Sequence, residues 1–166
     1  MTLDFVVSEL DRRLANLIRI GVIVELDTQK ARVKVETVGV ITDWLPWITT
    51  RAGDDITWWT PTEGEQVLIL SPSGELSLGI VIPSLYSDQY PANGNAETIH
   101  RMTYNDGTVI EYDKANHCAK ISCVGAVEVE ATTVTVTAAE NTTVIANGHL
   151  TATANSAEIT APTITL

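Results

Sequence analysis

A chain of 166 residues holds one ordinary domain or two small ones. Its 10 basic against 21 acidic residues leave a net charge of -11, which disfavours nucleic-acid binding by phosphate neutralisation and gives no grip on anionic membranes. Met1 to Asp4 lacks the basic and apolar regions of a secretory leader, and no run approaches the roughly 18 apolar residues of a membrane span, so synthesis in a reducing cytoplasm is expected.

Residues 3–20, LDFVVSELDRRLANLIRI, have the period of an amphipathic helix. Leu3, Val6, Leu10, Leu14, Leu17 and Ile18 share a stripe, with Glu9, Arg12, Arg13 and Arg19 off it. Gly21 is placed to end the helix as its C′ residue. A lone helix of this length is marginal, so it needs the following domain, a sister chain or an assembly partner to pack against.

From Gly21 to about Ser87 the pattern changes to short strands. Val22 to Leu26 reads as the first, and the alternating Ala31 to Glu36 as the second. A third, Ile41 to Ile48, should be an edge or bulged strand because Pro46 cannot donate to a ladder. Gln66 to Leu70 is a continuous apolar run, hence a buried strand, and Ser71-Pro72-Ser73-Gly74 turns the chain into a fifth strand over Glu75 to Ile82. Five short strands in roughly 65 residues suggest a small closed barrel, for which the OB-fold is the commonest option.

Residues 88–97, DQYPANGNAE, form a linker of turn-favouring residues. Asn105-Asp106-Gly107 between alternating segments is a hairpin signal, and a third strand follows over Cys118 to Ser122. Cys118 and Cys123 lie on opposite faces of that segment and read as small packing residues. His117 beside them has neither the spacing nor the ligand count of a zinc site.

Beyond Val124 the chain is a threonine-valine-alanine ladder without any aromatic residue, Lys or Arg. Ala131, Ala138, Ala146, Ala154 and Ala161 close successive short segments, within which apolar and polar residues alternate. Thr132-Thr133 shifts the apolar set from Val127 and Val129 to Val134 and Val136, as in a strand that turns a corner and starts a new face. That repeat suggests a β-solenoid or β-prism. Small inward side chains return too little burial energy to order such a segment alone, and a single copy would present unpaired edges. Self-association supplies the missing neighbours, and the alternation and β-branched content argue against a disordered tail.

The stretch ITDWLPWITTRAGDDITWWTPTEGEQVLILSPSGELSLGIVIPSLYS, followed by NDGTVIEYD and the ladder, resembles the phage baseplate assembly protein V family, the tail spikes of contractile-tailed phages and R-type pyocins. The resemblance implies an all-β fold. An N-terminal helix (1–20) precedes an OB-fold domain (21–95), a β-hairpin connector (96–123) and an intertwined trimeric β-helix or β-prism (124–166). It implies a non-enzymatic homotrimer at the tail baseplate or in a pyocin particle, driven through the target cell envelope when the sheath contracts. Baseplate hub and tube proteins would meet the helix and the OB-fold, and contact with the target outer membrane would be transient. No nucleic-acid partner is expected.

Members of that family commonly end in an apex whose His-x-His motifs hold an iron ion. Here the histidines are His100, His117 and His149, none two residues from another, so no metal or other cofactor is expected within this chain. Two readings of the missing apex stand open: a fragment lacking its tip, or a tip supplied by a separate protein. A ring of three His149 side chains is conceivable, but a surface histidine is the plainer reading.

No residue is assigned a catalytic, cofactor-binding or metal-binding role. Glu63 and Glu65 have the proximity of a glycosidase pair, yet they follow Pro61 in a turn, which favours a structural role. Asp54-Asp55 reads as a solvated loop rather than a cation site. Trp44, Trp47, Trp58 and Trp59 are expected around the barrel as core, as trimer contacts or as contacts to neighbouring baseplate proteins. The alternative function is an OB-fold binding module for oligosaccharide or single-stranded nucleic acid on a β-helical stalk.

Overall fold

The computed structural model describes residues 3–156, and the chain divides into two compact units after Val124. The last part of the ladder, including Ala161, lies outside the described residues.

The first unit opens with α1 (Leu3–Leu17), three residues shorter than the apolar stripe predicts. Ile18 does not continue the helix. It starts β1 (Ile18–Asp27), because Ile18 pairs with Leu70 across the sheet. Gly21, expected as the helix cap, lies inside that strand. β2 (Arg32–Thr37) returns antiparallel to β1, with a register shift between Ile23 and Glu25. β3 (Val40–Ile41) and β4 (Leu45–Pro46) each pair with β2. The strand expected over Ile41 to Ile48 is therefore two short pieces. Thr42 interrupts it: its hydroxyl accepts from the Val35 amide at 3.0 Å while its own amide donates to the Val35 carbonyl at 2.9 Å. Pro46 sits at the edge, as its missing donor requires.

β5 (Gln66–Leu70) lies between β1 and β6 (Ile80–Leu85). The Ile48 amide donates to the Val81 carbonyl at 2.8 Å, and Trp47 bridges Val81 in parallel. That contact joins the β4 end of the sheet to β6 and closes a small OB-like barrel. Its interior is Ile23, Val33, Val35, Leu45, Val67, Ile69 and Val81, all buried, with Leu26 and Trp47 packed against them.

The fifth strand starts later than expected. Pro72–Gly74 and Leu76–Leu78 are 3-10 turns, and pairing begins only at Ile80. These turns hold the helix. Asn16, buried at the helix C-terminus, donates to the Gly74 carbonyl at 3.1 Å, and the Ser71 amide donates to the Leu17 carbonyl at 2.9 Å. Gly74 has φ +71°, and a β-carbon there would lie 2.3 Å from the Arg13 carbonyl oxygen. Gly74→Ala is therefore expected to cost about 1–3 kcal/mol through the strained φ alone, with the clash adding to it. Amide hydrogen exchange should speed up across residues 3–17 while β5 keeps its protection. Unchanged helix protection would refute this anchoring role.

After the linker, β7 (Ile99–Thr103), β8 (Val109–Asp113) and β9 (Cys118–Ser122) form a three-stranded antiparallel meander. The expected Asp-Gly hairpin is present. Gly107 has φ +91° and donates to the Tyr104 carbonyl at 3.0 Å, while Asp106 accepts from the Thr108 amide at 2.8 Å. At the next turn Asp113 accepts from the Asn116 side chain and from the Ala115 and Asn116 amides. The Asn116 amide group, foremost among these donors, holds the Asp113 carboxyl below its ordinary range. Cys118 and Cys123 are exposed rather than packed inside.

In the second unit, residues 125–156 have no hydrogen-bonded strand or helix, and each of them is exposed. Val129 and Val136 are 72% and 75% exposed. The alternation seen in the sequence thus finds no partner strand among the described residues of a single copy.

Candidate interaction surface

Among the described residues no group of three or more His, Cys, Asp or Glu side chains is placed to hold a metal ion. His149 is exposed on the ladder. What the first unit offers is a surface for contact, in two parts.

The first part is aromatic. The loop between β4 and β5 carries Trp58 and Trp59, 61% and 63% exposed, so neither belongs to the core. Trp58 lies 5.8 Å from half-buried Trp47, and Trp59 stacks on Tyr104 of the hairpin turn at 6.0 Å and 10°. Trp44 carries the Lys34 ammonium 4.7 Å above its ring, a cation–π contact that fixes it on the outside of β2. Trp58 and Trp59 line a groove of about 700 Å³ together with Thr49, Thr57, Thr60 and Ser84. No Lys or Arg lines it. Aromatic faces beside hydroxyls suit a neutral polar partner, and the missing cations give a phosphate backbone nothing to bind.

The paired glutamates do not meet across this groove as an acid and a base. Glu65 is tied down, accepting from the Ser84 hydroxyl at 2.5 Å and the Thr62 amide at 2.9 Å. The Glu63 carbonyl accepts from the Tyr90 hydroxyl at 3.1 Å. Both residues thus hold the turn before β5, consistent with the structural role read from Pro61. Asp54 and Asp55 are fully at the surface of the loop.

The second part is the helix. α1 docks on the barrel by its polar edge: Asn16 on Gly74, and Arg12 on Glu75 at 3.3 Å. Arg12 and Arg13 also hold Glu9, at 2.8 and 2.7 Å. Their hydrogen bonds, that of Arg12 first, bring the Glu9 carboxyl down to about 2. The apolar stripe consequently faces away from the barrel, with Leu10 and Leu14 at 60% and 69% exposure. The sequence stripe was legible; its orientation was not, because the docking partner, Gly74, lies 58 positions from Asn16.

Residues 19–86 match the type VI secretion system/phage-baseplate injector OB domain, which covers the barrel from β1 through β6. The chain is also 42% identical over 148 residues to the spike protein of Escherichia phage P2. That similarity spans 89% of this chain and 63% of the phage protein's length. A barrel closed at Trp47 and Val81 agrees with the domain match. Both matches support the phage baseplate assembly protein V family.

Proposed function

We propose that the protein is the central spike of a contractile tail baseplate, in a phage or a pyocin-like particle. Three copies braid the ladder that follows Val124 into a β-helical shaft. The observation that carries this reading is the position of the ladder. A segment with alternating residues, small side chains and no partner strand among the described residues directly follows an injector OB domain and its hairpin. Three copies would give each strand the neighbours and the covered apolar face that one copy lacks.

The role is mechanical rather than catalytic. A continuously hydrogen-bonded shaft resists bending, so thrust from the contracting sheath would pass through hub and tube proteins to its tip and drive it across the target outer membrane. The chain would be made in the host cytoplasm, and the shaft would carry no resident ion of its own. Gold-labelled antibody raised against the barrel is expected to mark the distal end of assembled tails in electron micrographs. Labelling of the head or along the sheath, or no labelling of particles, would overturn the assignment.

A second reading keeps the barrel as a binding module on an oligomerisation stalk. The groove with Trp58 and Trp59 favours it, and its hydroxyl and aromatic lining favours oligosaccharide over nucleic acid. Saturable binding of envelope glycans at micromolar concentration or below, abolished by Trp59→Ala, would support that reading; flat titrations would remove it.

A further inference from the structure

The barrel wall is apolar on both sides. Val67, Ile69 and Val81 face the interior, so strand alternation puts Leu68, Leu70, Ile80 and Ile82 on the outside, with Ile18 and Ile20 beside them on β1. The register confirms the grouping: Ile18 pairs with Leu70, Ile20 with Leu68, Leu70 with Ile80, and Leu68 with Ile82. Ile18 and Ile20 are 62% and 56% exposed. The patch stops at β2, whose outward residues are the charged Arg32, Lys34 and Glu36. A wall strand facing water should alternate apolar with polar; one that is apolar on both faces belongs against something.

We infer that the exposed stripe of α1 in one copy covers this outer face of β1, β5 and β6 in the next, forming a closed ring of three at the level of the barrels. The inference rests on the threefold spike reading and adds a second, independent contact to it. Three observations choose a second copy as the occupant. The same unit carries both unpartnered surfaces, a helix stripe about 22 Å long and a three-stranded apolar face about 10 Å across. The helix cannot use its own barrel for this purpose, because Asn16 and Arg12 fix its polar edge there. Finally, the charge permits it. Residues 3–20 hold three basic and three acidic side chains, and β5 and β6 hold no charged residue, so like copies do not repel where these surfaces meet. A contact between two different surfaces, repeated around a threefold axis, closes without leaving either exposed.

The test uses the full chain with Cys118→Ser and Cys123→Ser, to which Leu10→Cys, Leu68→Cys or both are added. Sedimentation first establishes the number of copies. In a threefold species, maleimide labelling of either new thiol is expected to be at least tenfold slower than after unfolding. Mild oxidation should give covalent multimers only from the chain carrying both thiols. Labelling of either position at the unfolded rate in a species that sediments as three copies would overturn the pairing. Multimers from a single-thiol chain would overturn it too, as would none from the double. A monomeric mass would instead bring down the threefold reading beneath it.

Discussion

In a chain whose barrel-level contact is removed by Leu10→Asp, adding Val134→Asp and Val136→Asp is expected to give the 17.9 kDa of one copy, where the Leu10→Asp chain alone is expected to sediment at three times that mass. Val134 and Val136 stand two apart, so on an extended strand they share a face, opposite Thr133, Thr135 and Thr137. In a braided shaft that face turns inward and meets its equivalents from two other copies. Two carboxylates per chain would bring six into the interior. Each loses hydration worth several kcal/mol with no cation to compensate, since the ladder holds neither Lys nor Arg. Every 1.4 kcal/mol lowers association tenfold, so the combined loss should exceed about a million-fold. The barrel should remain folded, because its core draws only on residues between Ile23 and Val81. Thr133→Asp with Thr135→Asp in the same Leu10→Asp background is the control: the same charge on the wet face should leave the mass at three copies. If the inward pair also leaves the mass unchanged, the alternation does not mark a shared interior.

Which parts of this architecture could be read from the residues follows from where the determining contacts lie. The β7–β8 hairpin is specified locally by Asp106 and Gly107, and the edge position of β4 by Pro46, so both were legible. The end of α1 was not. Leu17 and Ile18 fit a helix stripe as well as a strand start, and only the pairing of Ile18 with Leu70 decides between them. The late start of β6 has the same origin, since the turns over Pro72–Leu78 are shaped by the helix resting on Gly74. Four tryptophans near the barrel were apparent, but the exposure of Trp58 and Trp59 depends on a loop anchored by Thr49 and Thr57 hydroxyls. The apolar run Gln66 to Leu70 announced a strand covered on both faces. Only the structure shows that Leu68 and Leu70, on its outer face, are no more than half-buried in one copy.

Ile69→Ala is expected to remove about 2–5 kcal/mol from the barrel, against a total stability on the order of 5–15 kcal/mol for a domain of this kind. Ile69 is fully buried at the centre of β5, the strand that links β1 to β6, and it pairs with Arg19 on one side and Val81 on the other. The core around it numbers seven fully buried apolar side chains among the described residues, so each carries a large share of the burial energy. The site also resists collapse. A β-carbon on Gly79 would lie 3.0 Å from Ile69 and 2.9 Å from Leu45, which shows the backbone just before β6 already drawn close against both side chains. A cavity there should persist, which puts the cost in the upper half of the range. Ile69→Val should cost only about 0.5–1.5 kcal/mol. Urea unfolding followed by tryptophan fluorescence, at one fixed protein concentration, reads both values. An alanine variant within about 0.5 kcal/mol of the parent would mean that Ile69 does not organise the core. Leu68→Ala, one residue away on the outer face, separates the two sides of the wall. Its cost should grow with protein concentration if neighbouring copies cover Leu68, whereas the cost at Ile69 should not.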